Sequence, residues 1–381
     1  MQTTKQPITH WQLFDTLQDP REDGRNKRHL FKEILVLTIV GFACGMKSFE
    51  AVAEFCEMQE SWFRKFLSLP NGIPSHDTFR RVFELLDSKA FEQCFMLWTK
   101  QLCEDFPGDV VAIDGKTIRN SGTASTRAMH LVSAWSHANG LVLGQVQTEE
   151  KSNEITAIPE LLSALCIKGC IVTTDAMGCQ KSIAERIIDQ KADYILAVKD
   201  NHPTLHDELK LLFSSVLTGG LKDIPVSFHE ESDKGHGRIE TRKCWTTSFV
   251  KWFEEQEQWK GLRSFTRIDD ERTVNGKTSM ESRYFISSLD GKNAEQVLKS
   301  VRSHWEVENK LHWCLDVTMG EDQACLRERK LAINAAIARR LAMNALRKHP
   351  SYKKSLAKAI RSAAFNLQFR ETLLKSITSN A

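Results

Sequence analysis

The chain has no apolar run that approaches the roughly 20 residues a membrane span needs, so no membrane-spanning helix is expected. Its N-terminus, MQTTKQPITHWQLF, lacks the basic-then-apolar pattern of a secretory signal, and a cytoplasmic location is expected. The ten cysteines form no CxxC pair; Cys166, Cys170 and Cys179 come nearest to a cluster, yet no second ligand pair accompanies them. A zinc site is therefore not expected, and reduced thiols in a cytosol fit the pattern. Internal repeats and low-complexity linkers are also missing. What remains is an ordinary soluble composition, 41% hydrophobic and 27% charged, over 381 residues, enough for two or three domains.

Charge is unevenly spread. From Leu326 to Ala381 there are 13 Lys and Arg against 2 Asp and Glu, which leaves 39 against 47 in the other 325 residues. A basic tail on a mildly acidic body suits a polyanion partner, and equally a solvated helix surface.

Residues 8 to about 100 carry apolar residues at three- and four-residue spacing, so a helical N-terminal domain is predicted, with Ser75 or Asp77 as an N-cap. The pattern changes at Pro107-Gly108. DVVAID, MHLVSAWS and LVLGQVQT read as three strands of a meander, with Ala138-Asn139-Gly140 as a hairpin turn. A helix (IPELLSAL), a strand (CIVTTD), a helix (QKSIAERIIDQ) and a strand (DYILAVK) follow. The order implies an α/β fold with a mixed sheet and helices packed on it. Residues 201–290 read as a β-rich insertion, after which a helix over 292–315 and a second over 330–348 are predicted. The boundaries expected are 1–105 for the helical N-terminal domain, 106–325 for the α/β domain with its β-rich insertion and 326–381 for a basic helical C-terminal segment.

One acid stands out in VRSHWEVENKLHWCL. Val301, Trp305, His312 and Leu315 share a helical face, and Glu308 falls near the middle of that stripe. A carboxylate on a core face needs a compensating proton, arginine or metal ion. Asp114 and Asp175 each end an apolar strand. If those strands are neighbours, both acids emerge at one sheet edge, where the later helix can bring Glu308. Three carboxylates together would gather hard, oxygen-preferring cations, Mg²⁺ or Mn²⁺, and two such ions are the usual device for in-line phosphoryl displacement. One would deprotonate the attacking water and the other stabilise the leaving 3′ oxygen. Taken singly, each aspartate also suits a turn or cap, and Glu308 a buried ion pair with Arg302 or Lys310. Asp316, Glu321 and Asp322 are alternative third acids. Lys116 and Arg119 suit either a phosphate grip or a solvated turn. His236 suits either a DNA contact or a loop. Trp305 and Trp313 are expected to be core anchors before base-stacking groups, with Trp313 lying off the stripe.

The strings VVAIDGKTIRNS, EKSNEITAIPELL, IVTTDAMGCQ, YILAVKDNH, GHGRIETR and HWEVENKLHWCLDVTMGED closely resemble the H-repeat-associated, ISAs1-type insertion-sequence transposases. The resemblance covers nearly the whole chain. It implies a DDE transposase with a ribonuclease H-like core, with Asp114, Asp175 and Glu308 as catalytic, metal-holding acids. It also implies two Mg²⁺ or Mn²⁺ ions, double-stranded element ends and target DNA as partners, and a homodimer or larger assembly. Lys199 and Arg238 fall in family motifs and would contact DNA. The wider family carries a Tyr, Arg, Glu, Lys signature around its glutamate. Here His304 stands at the Arg position and Leu315 at the Lys position, so Lys310 or His312 would supply the missing contact. A nuclease without strand transfer, or an inactive DNA-binding relic, are the alternative readings.

Overall fold

A computed structural model describes residues 10–22, 27–103, 107–122, 127–148, 154–221, 223–235 and 237–378. His236 lies outside them. The N-terminal part is helical, as its periodicity predicts: α1 (His10–Leu13), α2 (Phe31–Ala43), α3 (Phe49–Met58), α4 (Glu60–Phe63), α5 (His76–Leu85) and α6 (Ser88–Leu102). Ser75 is the cap of α5; its hydroxyl accepts from the Thr78 N–H at 3.4 Å.

Nine strands form one mixed sheet in the order β3-β2-β1-β4-β5-β9-β8-β7-β6. The meander is β1 (Val110–Ile118), β2 (Met129–Ser136) and β3 (Leu141–Gln147), with Gly140 at φ +65° completing the tight β2–β3 turn. Helix α7 (Glu154–Ala164) leads to β4 (Ile171–Thr174), and α8 (Lys181–Asp189) to β5 (Asp193–Val198). β4 runs parallel to β1, with Ile113 opposite Thr174, so the neighbourhood on which the acid constellation depends is present. β5 is parallel to β4 in turn. These strands are short, apolar and covered on both faces, the environment in which parallel pairs persist.

The stretch after β5 opens with a helix that the sequence reading missed, α9 (Pro203–Leu217), whose Leu205, Leu209, Leu212 and Phe213 are buried. Proline at its start and the 3–4 spacing of those residues were the available signals. Next come β6 (Ser227–Gly235), β7 (Arg238–Thr247), β8 (Ser264–Val274) and β9 (Lys277–Ser287). β9 pairs antiparallel with β5, so these strands extend the central sheet.

α10 (Ala294–Val307) crosses the sheet and seats Val297, Leu298 and Val301 against Val110, Ile171 and Ile195. It continues into two widened, π-helical turns, Glu308–His312 and Cys314–Thr318. α11 (Arg329–Lys348), α12 (Leu356–Phe365) and α13 (Leu367–Thr378) close the chain. α11 packs on α2, α5, α6 and β3, and its residues Leu331 to Leu346 are all buried. Its Asn344 caps the edge of the sheet, accepting from the Val142 N–H at 3.0 Å and donating to the Val142 carbonyl at 2.9 Å. Much of the basic tail is thus internal: Arg339, Arg340 and Arg370 are all within 2% of full burial, so these three meet neither a polyanion nor solvent.

Candidate active site

Asp114 lies inside β1, which runs four residues past it to Ile118, and does not end the strand as its apolar lead-in suggests. Asp175 is the first residue beyond β4. Its Oδ1 accepts from the Met177 and Gly178 N–H groups at 3.0 and 3.2 Å, which fixes the carboxylate in the turn. Parallel pairing of β1 with β4 sets the two aspartates side by side, and α10 lays Glu308 over them. All three line one cavity of about 220 Å³ together with Lys199, Arg283, His304 and Trp305.

Carboxylate oxygens of Asp114 and Glu308 and a ring nitrogen of His312 lie within 4.8 Å of one another; Asp175 lines the cavity outside that closest group. His312 is buried, with Nδ1 3.4 Å from Glu308 and 3.7 Å from Asp114. Burial and the neighbouring Glu308 push the Asp114 carboxyl up to about 7. Burial, then the nearby Glu154, raises Asp175, while Lys199 works against the rise. Burial lowers His312, so it is a poor counter-charge for the acids. This under-compensated oxygen set fits a hard divalent cation, with His312 adding a nitrogen that suits Mn²⁺ better than Mg²⁺.

Glu308 itself is not a core residue. Its side chain is 57% exposed, because the face it shares with Trp305 opens onto the cavity. The ion-pair alternatives do not form: Arg302 pairs with Glu231 and Asp233, and Lys310 with Glu306. Trp305 and Trp313, expected in the core, are exposed. The stripe holds at Val301, His312 and Leu315, which are buried; between them Trp305 and Glu308 line the cavity, and from Glu308 the helix winds with five-residue hydrogen bonds, Trp313 N–H to the Glu308 carbonyl.

The remaining residues divide clearly. Lys199 is at the cavity wall, and Arg119 is exposed beyond the end of β1, near Asp322. Arg238 begins β7, away from the cavity, and pairs with Glu240 at 2.8 Å. Lys116 is buried at 6% exposure and bonds Asp316, Glu321 and Asp322 at 2.6, 3.1 and 3.5 Å. Those three acids are thereby occupied away from the cavity, and Glu321 also binds Arg340 at 2.7 Å. Lys116 ties the strand of Asp114 to the segment just past Glu308. His304 is held neutral by burial, its pKa lowered to about 4, and its Nδ1 meets the Thr173 hydroxyl at 3.0 Å.

Sequence reasoning missed Glu154, in the first turn of α7. It pairs with His130 at 2.8 Å, and a Cβ on Gly115 would sit 2.0 Å from its carboxylate. Gly115 therefore lets a fourth acid lie against β1 beside Asp114. An acid in a first helical turn is common, and the one signal was that Glu154 falls within EKSNEITAIPELL, one of the strings that resemble the family.

Residues 105–345 match the family described as "Transposase DDE domain", and residues 11–99 the one described as "DDE_Tnp_1-associated". The chain is 39% identical over 369 residues to the putative transposase YncI of Escherichia coli O157:H7, covering 94% of this chain and 93% of that one. It is 38% identical over 356 residues to the H repeat-associated putative transposase YhhI of E. coli K12, covering 91% and 92%. A solved piggyBac transposase synaptic complex with hairpin DNA aligns over 96% of this chain and 77% of that one, at a TM-score of 0.44 and 12% identity, too distant to bear on the fold. By the reach of the domain match and of its relatives, the chain belongs to the DDE transposase family, alongside the H repeat-associated putative transposases.

Proposed function

We propose that the protein is a divalent-metal-dependent DNA transposase. It cuts a phosphodiester at each element end to free a 3′-OH and joins that hydroxyl to target DNA. The observation that carries the reading is the meeting of Asp114, Asp175 and Glu308 on one cavity, where burial and Glu308 push Asp114 up to about 7. The strand order β3-β2-β1-β4-β5 and the acid positions support a ribonuclease H-like core.

Asp114, Asp175 and Glu308 would hold the Mg²⁺ or Mn²⁺. A divalent ion held there would supply Lewis acidity for the attacking water and the leaving oxygen. The chain's own groups do the rest. His312 buttresses Asp114 and Glu308, and the Met177 and Gly178 amides orient Asp175. Lys199 faces a phosphate at the cavity, while Arg119 and Arg238 serve the backbone farther out. Cutting and joining are both in-line attacks by oxygen on phosphorus, so one site serves both. Two ends brought together require at least two copies of the chain.

The test is an assay with Mn²⁺ and DNA carrying the sequences that flank the gene, where inverted repeats are expected. Asp114→Asn, Asp175→Asn and Glu308→Gln should each abolish cutting; parental activity in Asp114→Asn or Glu308→Gln refutes the mechanism. Cutting without joined products identifies a nuclease without strand transfer.

A further inference from the structure

A second cavity lies away from the acids, between the N-terminal helices and the segment that leads into α11. It holds about 360 Å³, and Lys47, Arg80, Arg327 and Arg339 line it against two acids, Glu50 and Glu328. Both acids are engaged with backbone. Glu50 is held by its own N–H and by the Ser48 hydroxyl, and Glu328 caps α11 by accepting from the Lys330 and Leu331 N–H groups. Among the cations, Arg80 pairs with Glu84 at 2.8 Å. Lys47 donates to the Gln323 side-chain oxygen at 3.4 Å, and the exposed Arg327 has no ion pair among the described residues. The N-terminus of α3, a ten-residue helix, opens on the same cavity and adds the positive end of its dipole.

Arg339 sets this cavity apart from a solvated basic surface. It is only 2% exposed, yet no carboxylate pairs with it among the described residues. Its side chain makes one hydrogen bond, from Nη2 to the Lys47 carbonyl at 3.3 Å, and Nε has no partner. Glu321, whose charge reaches it, is already shared by Arg340 at 2.7 Å and Lys116 at 3.1 Å. Burial lowers the Arg339 pKa to about 10, as expected of a cation short of counter-charge. Such a charge is costly to bury unless an anion meets it.

We propose that this cavity binds a small oxyanion of the phosphate class, inorganic phosphate or a phosphate monoester, with Arg339 at its inner end and Lys47 and Arg327 at its mouth. Guanidinium forks suit the oxygens of a phosphate, and a helix start suits its charge. The burial of Arg339 keeps a DNA backbone away from it, so the occupant is a free anion small enough to enter. The proposal stands apart from the DNA reading, because no residue lines both this cavity and the acidic one.

The test follows thermal midpoints and binding heats of the full chain, free of divalent metal, in inorganic phosphate against chloride at equal ionic strength. Phosphate should raise the parent's midpoint saturably. Arg339→Met, which keeps the bulk, should weaken phosphate binding about 10- to 100-fold, and Arg327→Ala about 3- to 10-fold. Lys277→Ala, at an equally exposed cation on the β8–β9 hairpin, should bind as the parent does. Arg327 is exposed and unpaired, so its variant decides the matter if Arg339→Met does not fold. The absence of a saturable rise in the parent overturns the site, as does equal phosphate affinity in Arg327→Ala and Lys277→Ala. Phosphate retained in the presence of duplex DNA supports a small-anion site; phosphate displaced by the duplex overturns it in favour of a backbone contact.

Discussion

Asp114→Asn should stabilise the metal-free protein. Burial and Glu308 raise the Asp114 carboxyl from 3.8 to about 7, while its side chain is only 17% exposed. The folded state thus binds a proton that the unfolded chain has already released. Stability from this group is complete below pH 3.8 and is lost as pH rises through about 7. A shift of about three units corresponds to ~4 kcal/mol at pH 8, with the Glu308 share reduced by its exposure. Asparagine keeps the shape and can still accept the Gly115 N–H, but it cannot ionise. The stability gap between Asp114→Asn and the parent should therefore widen by about 2–3 kcal/mol between pH 5 and pH 8. Thermal melts in EDTA at both pH values measure it as several degrees. Adding Mn²⁺ at pH 8 should raise the parent's midpoint and close the gap, because a ligand of the folded state adds stability by mass action. A gap independent of pH, or an equal Mn²⁺ response in the variant, would refute the view that Asp114 is held in a cation-deficient cavity.

Lys116→Met should cost about 1–3 kcal/mol in urea unfolding, since it leaves the partly exposed Asp316 without its cation while Glu321 keeps Arg340; a loss of DNA contact with normal stability would instead mark Lys116 as a surface residue. Gly115→Ala should displace the Glu154–His130 pair, because its Cβ would fall 2.0 Å from the Glu154 carboxylate. Cutting activity should fall at least tenfold, with Glu154→Ala partly restoring it in the double variant; full activity in Gly115→Ala would show that the pair simply moves aside.

Much of the architecture was legible because the strands are short apolar runs between turn signals, and the early helices have plain 3–4 spacing. The positions of Asp114 and Asp175 followed from strand order, since a parallel β1–β4 pair leaves adjacent acids no other place to go. The environment of Glu308 was not legible. Glu308 follows Val301 at regular helical spacing, but the face that is core at Val301 opens onto the cavity at Trp305 and Glu308, and spacing does not show where a helix runs past its core. Lys116 was not legible either: two steps along β1 from Asp114 it shares that residue's side of the sheet, but whether it meets solvent depends on Asp316 and Glu321, two hundred residues later. The buried arginines of α11 show the same limit. Arg340 reads as a surface charge until Glu321 is found against it. Interactions that join distant segments leave no local signature.

The placement of α11 has a consequence for how the chain is made. The apolar faces of α2, α5 and α6 are synthesised by residue 102, but the helix that covers them begins at Arg329. At ordinary translation rates these faces wait uncovered for on the order of tens of seconds. A polypeptide that stops short of α11 would carry all three acids yet never close its first layer, leaving it open to proteolysis. Truncated copies of such a gene would therefore be cleared rather than build up as competitors for DNA, and activity would appear only when synthesis is nearly complete.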